Sequence, residues 1–298
     1  MSVDEKIRRI RSGLKKAYGL LRSCHVCPRK CGVNRLIGEM GICGMGFHPV
    51  VSSDNLHHGE EPPISGSRGS GTIFLTGCNL GCVFCQNYPI SHLLHGRKIT
   101  IPQLASMMLR LQKARAHNIN FVTPTHFAPQ IMGALLIAYK HGLEIPIVYN
   151  CGGYESLEML RLWDGIIDIY MPDMKYSDPK MSEKYAYAPD YPEINREAIR
   201  EMFRQVGNLQ LDDSGIATSG LLIRHLVLPE NIAGSEKILR FISEDISRNT
   251  YISFMSQYFP AHKALDMAPL DRPLTRSEYE QAKSFLEFFG LQRGWVQN

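Results

Sequence analysis

The sequence predicts an α/β fold of six strand–helix units, either a partial (β/α)6 barrel or an open doubly wound sheet. A loop-rich, cysteine-containing N-terminal segment precedes it. Three observations carry this expectation. From residue 71 onward, short apolar runs alternate with stretches of helical period. The runs end in polar or special residues, at Thr76-Gly77-Cys78, Thr123-Pro124-Thr125-His126, Asn150-Cys151-Gly152-Gly153, Asp173-Met174-Lys175 and Gln257-Tyr258. Those are the strand ends at which such sheets bind ligands. Finally, seven of the eight cysteines lie between residues 24 and 85, before and just after the first predicted strand.

Composition sets the frame. The 298 residues are 44% hydrophobic and 21% charged, values of a globular protein with a sizeable core. No run approaches the roughly 18–20 apolar residues of a membrane span. The first residues alternate in charge and have no signal-peptide apolar core, so a cytoplasmic protein without a membrane partner is expected. The net charge of +4 does not indicate nucleic acid.

Two segments are expected, residues 1–70 and 71–298. In the first, Ser2 and Glu5 have capping-box spacing. Ile7, Ile10, Leu14, Tyr18 and Leu21 recur at helical intervals, predicting an amphipathic helix over residues 3–22. Residues 24–70 hold four cysteines, many glycines and the stretch from His57 to Gly66. They read as loops shaped by a metal, with Glu60 and Glu61 an acidic pair on a solvated loop or, alternatively, lining a substrate entrance.

In the second segment the predicted strands are 72–75, 119–122, 145–149, 166–171, 221–228 and 251–255. Pro172 and Pro229 stop two of them. Helices are predicted after the Thr100/Gln103 capping pair and over 128–141, 155–163, 192–206 and 235–246. Thr275 and Glu278 cap a last helix that Gly290 terminates.

The chemistry is concentrated in Cys78-Asn79-Leu80-Gly81-Cys82-Val83-Phe84-Cys85-Gln86-Asn87. The C-x3-C-x2-C spacing lets one loop wrap three thiolates around a compact metal cluster, leaving one iron of a four-iron cluster open. The competing reading is a structural zinc site lacking its fourth ligand. With Phe84 just before the third cysteine, the segment resembles the radical S-adenosylmethionine (SAM) superfamily. Together with Leu222-Ile223-Arg224-His225-Leu226-Val227-Leu228-Pro229 and the N-terminal Cys-Pro-Arg, it is similar to the PflX-like group of pyruvate formate-lyase activating enzyme homologues.

That resemblance implies a partial (β/α)6 radical SAM barrel. It implies a [4Fe-4S] cluster on Cys78, Cys82 and Cys85 whose open iron chelates SAM, giving a 5'-deoxyadenosyl radical that abstracts hydrogen from substrate. It implies Phe84, Asn150, Asp173, Lys175 and Arg224 as cofactor-binding residues, Asn150 ending the third strand and Asp173/Lys175 forming a D-x-K motif at the fourth. Thr123 and Thr125 stand where the superfamily commonly has Gly-Gly-Glu, and their hydroxyl and carbonyl groups are the available acceptors for the cofactor amino group. His126 is either structural or substrate-facing. The implied partners are a one-electron donor of flavodoxin or ferredoxin type and a protein substrate whose glycine loses hydrogen. A small molecule, peptide or nucleic acid is the alternative substrate, and a non-catalytic iron-sulfur or zinc protein the remote alternative.

Cys24, Cys27, Cys31 and Cys43 form a second group. Four thiolates over twenty residues suit tetrahedral zinc or an auxiliary [4Fe-4S] cluster. Cys151 is expected to be a small buried residue. Trp163 and the Phe285–Phe289 helix end fit either core packing or a docking surface.

Overall fold

The computed structural model describes residues 1–297. Its strands are β1 Val50–His57, β2 Ser70–Leu75, β3 Arg97–Lys98, β4 Ile119–Val122, β5 Ile147–Cys151, β6 Ile169–Pro172, β7 Gln210–Leu211, β8 Ala217–Leu226, β9 Tyr251–Met255 and β10 Gly294–Val296. The helices are α1 Val3–Gly19, α2 Pro62–Ser65, α3 Tyr88–Ser91, α4 Ile101–Lys113, α5 Ala128–Lys140, α6 Leu157–Leu162, α7 Pro179–Ala186, α8 Tyr191–Val206, α9 Ser235–Phe241 and α10 Arg276–Phe288.

Topology decides between the two architectures the sequence allowed. The sheet order is β10-β9-β8-β6-β5-β4-β2-β1-β3, with β7 paired to β8. From β2 through β10 along this path every pair is parallel, and the strands follow chain order. A doubly wound sheet reverses its order at a switch point; this one never does. Each crossover advances in one direction, as in a barrel. The sheet stays open, edged by antiparallel β1 and β3 on one side and β10 on the other.

Side chains alternate across the sheet. On β5, Ile147, Tyr149 and Cys151 join the core beneath the helices, whereas Val148 belongs to a second cluster inside the curl. That inner cluster gathers Val148, Ile169, Met171, Leu222 and Tyr251 with Ile64 of α2. Residues 58–66 therefore floor the barrel. Of the two readings of Glu60 and Glu61, the solvated loop is wrong: Glu61 is 3% exposed, and Glu60 Oε1 accepts from Asn120 Nδ2 at 3.0 Å. Equally, β1 runs for eight residues through the segment read as loops. Beyond its two-residue pairing with β3 it lies at the sheet edge, with Val51 its one fully buried residue, so its apolar alternation is weak.

Local signals fared better where they are chemical. The capping boxes at Thr100/Gln103 and Thr275/Glu278 are both formed, and Ser2 Oγ accepts from the Glu5 N–H. Helix α1 packs on α5 and α6, and Lys6 Nζ reaches Asp168 Oδ1 at 2.6 Å. Trp163 is fully buried in the main core. Helix α7, strand β10 and the two-residue strands were not anticipated.

Candidate active site

The loop carrying Cys78, Cys82 and Cys85 leaves the end of β2 and folds over the barrel mouth. Gly77 makes this possible: its φ is +84°, and a Cβ there would stand 2.6 Å from the Cys43 carbonyl. Main-chain bonds then pin the loop from both sides. The Val83 N–H donates to Tyr185 O at 2.9 Å, and Val83 O accepts from the Ala264 N–H at 3.1 Å. Asn79 Nδ2 donates to Tyr154 O at 2.6 Å.

All three thiols face one cavity. Burial pushes the Cys78 thiol well up and Cys82 to about 11, and the neighbouring thiols add to it. Lys175 pulls both the other way. Thiolates clustered in so dry a place are stable only with cations bound to them. Few polar atoms compete for the sulfurs: Cys78 Sγ accepts from the Leu80 N–H at 3.3 Å, and Cys85 Sγ lies 3.1 Å from Ser91 Oγ. This donor set fits an iron-sulfur cluster held by three thiolates.

Across the cavity stand Thr123, Asn150, Asp173, Lys175 and Arg224, from the ends of β4, β5, β6 and β8. Asp173 Oδ2 accepts from Lys175 Nζ at 2.6 Å, and its Oδ1 accepts from Arg224 Nε at 2.8 Å. Burial alone would raise the Asp173 pKa; Arg224 and Lys175 outweigh it and hold the carboxyl below its usual range. Two cations share one carboxylate. The next acid, Glu60, lies 3.8 Å from Arg224 and is raised by burial to about 7, with Arg224 opposing and Glu61 adding to the shift. Lys175 and Arg224 are thus the donors at the mouth that a carboxylate ligand could engage, with Asp173, Glu60 and Glu61 as the acids that face Arg224.

Sequence reasoning missed the supports of this network. Tyr191 and Asn195 share one face of α8. Tyr191 Oη lies 2.9 Å from Gly152 O and 3.0 Å from Asp173 O, and accepts from the Lys175 N–H at 3.0 Å. Asn195 Nδ2 donates to Gly153 O and Asp173 O, each at 3.0 Å. A Cβ on Gly153 would sit 2.2 Å from that amide nitrogen. The i, i+4 spacing of Tyr191 and Asn195 was the one available signal.

Of the two threonines, Thr123 lines the cavity with φ +59°. Thr125 is buried away from it, its hydroxyl donating to Glu155 Oε1 at 2.6 Å. Glu155, also unforeseen, accepts from Tyr149 Oη at 3.0 Å and is raised to about 7 by burial against these bonds. His126 is 1% exposed, its Nε2 2.8 Å from Thr76 O, and burial, with Arg35, lowers it to about 3. Phe84 lines the cavity, its ring 5.8 Å from that of Tyr258. Cys151 is buried, its thiol raised well above the usual range by burial and by Glu155.

The second cysteine group gathers beside the first. Cys24 and Cys27 are buried, Cys31 and Cys43 half-buried. The missing Cβ of Gly41 would lie 3.0 Å from Cys31 Sγ and 3.6 Å from Cys43 Sγ. Burial raises Cys27 to about 12 and also raises Cys24 and Cys43, both opposed by the Arg35 guanidinium. Arg29 ties this segment to the loop of Cys78, Cys82 and Cys85, Nε donating to Asn79 O at 2.8 Å. Among the described residues no three His, Cys, Asp or Glu side chains converge on the geometry of a single ion.

A singly wound parallel sheet with three loop thiols over its C-terminal mouth defines an α/β barrel-type protein with a cavity suited to a thiolate-held metal cluster. Residues 72–242 match the model of the radical SAM superfamily, and the chain belongs to that superfamily. Its members are enzymes that cleave SAM at a [4Fe-4S] cluster. The chain is similar to two proteins of Methanocaldococcus jannaschii. One is the uncharacterized protein MJ0674, 32% identical over 284 residues, spanning 92% of this chain and 77% of that protein. The other is the uncharacterized protein MJ0808, 20% identical over 267 residues, spanning 83% and 73%. No described helix is long and apolar enough to cross a membrane.

Proposed function

We propose that the chain is a radical SAM enzyme of the glycyl-radical activating type, with Cys78, Cys82 and Cys85 as cluster ligands. A [4Fe-4S] cluster with SAM at its open iron supplies one-electron cleavage of the sulfonium and a radical able to take hydrogen from carbon. The observation that carries the reading is the Asp173–Lys175–Arg224 network opposite three thiols in one cavity. Arg224 and Lys175 take the cofactor carboxylate. Asp173 and Asn150 take its ammonium, Thr123 supplies a further acceptor, and Phe84 forms an apolar wall that keeps water from the radical.

The activating-type assignment rests on the sequence resemblance at residues 78–87 and 222–229. A protein glycine is the substrate that resemblance implies, with a flavodoxin- or ferredoxin-type protein as reductant in the cytoplasm. The cysteines at 24, 27, 31 and 43 hold a second metal centre, zinc or an auxiliary cluster, supported by the Gly41 cradle.

The test is anaerobic reconstitution with iron and sulfide, reduction with dithionite, and assay of 5'-deoxyadenosine. Product from the wild type and none from Cys82→Ala is expected. Equal product from both overturns the assignment.

A further inference from the structure

Twelve large apolar side chains are exposed among the described residues. Half of them come from two short segments, Leu36, Ile37, Met40 and Ile42 from one and Leu93 and Leu94 from the other. The segments touch through Gly44, whose Cβ would stand 2.8 Å from Leu94 Cδ1. Leu36, Ile37, Met40 and Leu94 line one groove, and Ile42, Leu94 and Tyr187 line a second. The grooves meet at Gly44 and Leu94, forming one surface. A contiguous apolar concentration of this kind marks an interaction site.

Two further observations say what sits there. The second groove is also lined by Cys43 and Cys78, so a partner on this surface comes up behind the radical loop. The substrate cavity lies on the other side of that loop, between the thiols and Gln86, Asn87 and Gln257. A substrate must touch the reacting atoms; an electron needs only close approach through the loop. The surface is also basic. Across residues 29–48 and 91–98 the exposed charged groups are Lys30, Arg97 and Lys98 against Glu39; Arg97 lies 3.5 Å from Asp54, and Lys98 lines the first groove. Glu39 is partly engaged, accepting from the Asn34 N–H at 2.6 Å.

We propose that this apolar, basic-rimmed surface docks an acidic one-electron carrier protein, which reduces the radical cluster through the Cys78 side of the loop. The proposal rests on the function proposed above. The carrier gives up one electron and the cluster gains it, with no proton or group transferred. Complementary charge steers the encounter, and the apolar centre holds the complex.

The experiment uses the reconstituted full chain with either dithionite or a reduced acidic flavodoxin, reading 5'-deoxyadenosine and bleaching of the cluster absorbance. The variants are Ile37→Glu with Met40→Glu, and separately Lys98→Glu. With dithionite both should match the wild type. With flavodoxin the double variant should reduce about tenfold or more slowly, as for loss of an interface anchor. Lys98→Glu should slow reduction and flatten its salt dependence.

Flavodoxin-driven rates within about twofold of wild type in the double variant overturn the docking surface, since anchors move affinity by more. So does a wild type that dithionite reduces and flavodoxin does not. A wild type that self-associates through this face, with the double variant monomeric in sedimentation, assigns it to a second copy and also overturns the proposal. No 5'-deoxyadenosine from the wild type with dithionite overturns the proposed function instead.

Discussion

Asp173 Oδ1 accepts from Arg224 Nε at 2.8 Å, joining the residue just past β6 to one on β8, 51 positions apart. The same carboxylate holds Lys175 through its other oxygen. Removing one partner of a buried ion pair strands the other in low dielectric, which costs far more than the pair contributes. Asp173→Asn leaves Lys175 and Arg224 facing each other. Chemical denaturation should show a loss of about 3–5 kcal/mol. A loss below about 1 kcal/mol, the scale of an exposed pair, contradicts the network.

The floor of the barrel gives a second prediction. Ile64 is fully buried among side chains of β5, β6, β8 and β9. Ile64→Ala should destabilise the protein by about 2–5 kcal/mol through lost burial and the cavity left behind. An exposed turn would lose almost nothing, so a midpoint unchanged in urea counts against the floor.

His126 makes stability depend on acidity. Burial, with Arg35 adding to it, lowers the ring from 6.5 to about 3, so it stays neutral in the fold where the unfolded ring gains a proton. The native state holds this advantage above the unfolded pKa and loses it as pH falls toward the folded one, by about 1.4 kcal/mol per pH unit. His126→Gln removes the slope. The stability gap between wild type and variant should narrow between about pH 7 and pH 4. A constant gap overturns the assignment of this acid limb to His126.

The second cysteine group is tested by metal content. A chain carrying Cys78→Ala, Cys82→Ala and Cys85→Ala should still bind one metal centre after anaerobic reconstitution. Adding Cys27→Ala should abolish it. Iron with sulfide identifies a cluster, and a single zinc a structural site. No metal in the triple variant rejects the centre.

Much of the site was legible because its chemistry is local. The spacing of Cys78, Cys82 and Cys85 lies within one loop, and Asp173 and Lys175 are two residues apart. Arg224 stood out as a charge in an apolar strand, and the Thr100 and Thr275 caps needed three residues each. Thr125 was expected at the cofactor and instead bonds Glu155. Nothing near it in sequence announces that partner, thirty residues on.

The sequence by itself determined that strands alternate with helices, that three cysteines share one loop after the first strand of the parallel sheet, and which strand ends carry polar groups. Those follow from periodicity and short spacings, which depend on neighbours along the chain. Only the tertiary structure decided that the sheet winds one way. It also decided that Glu60, Glu61 and Ile64 form the barrel floor, that Tyr191 and Asn195 brace Asp173, and that the two cysteine groups share a wall. Each of these depends on residues distant in sequence being pressed together, and burial, not residue type, sets whether a carboxylate meets water or a guanidinium.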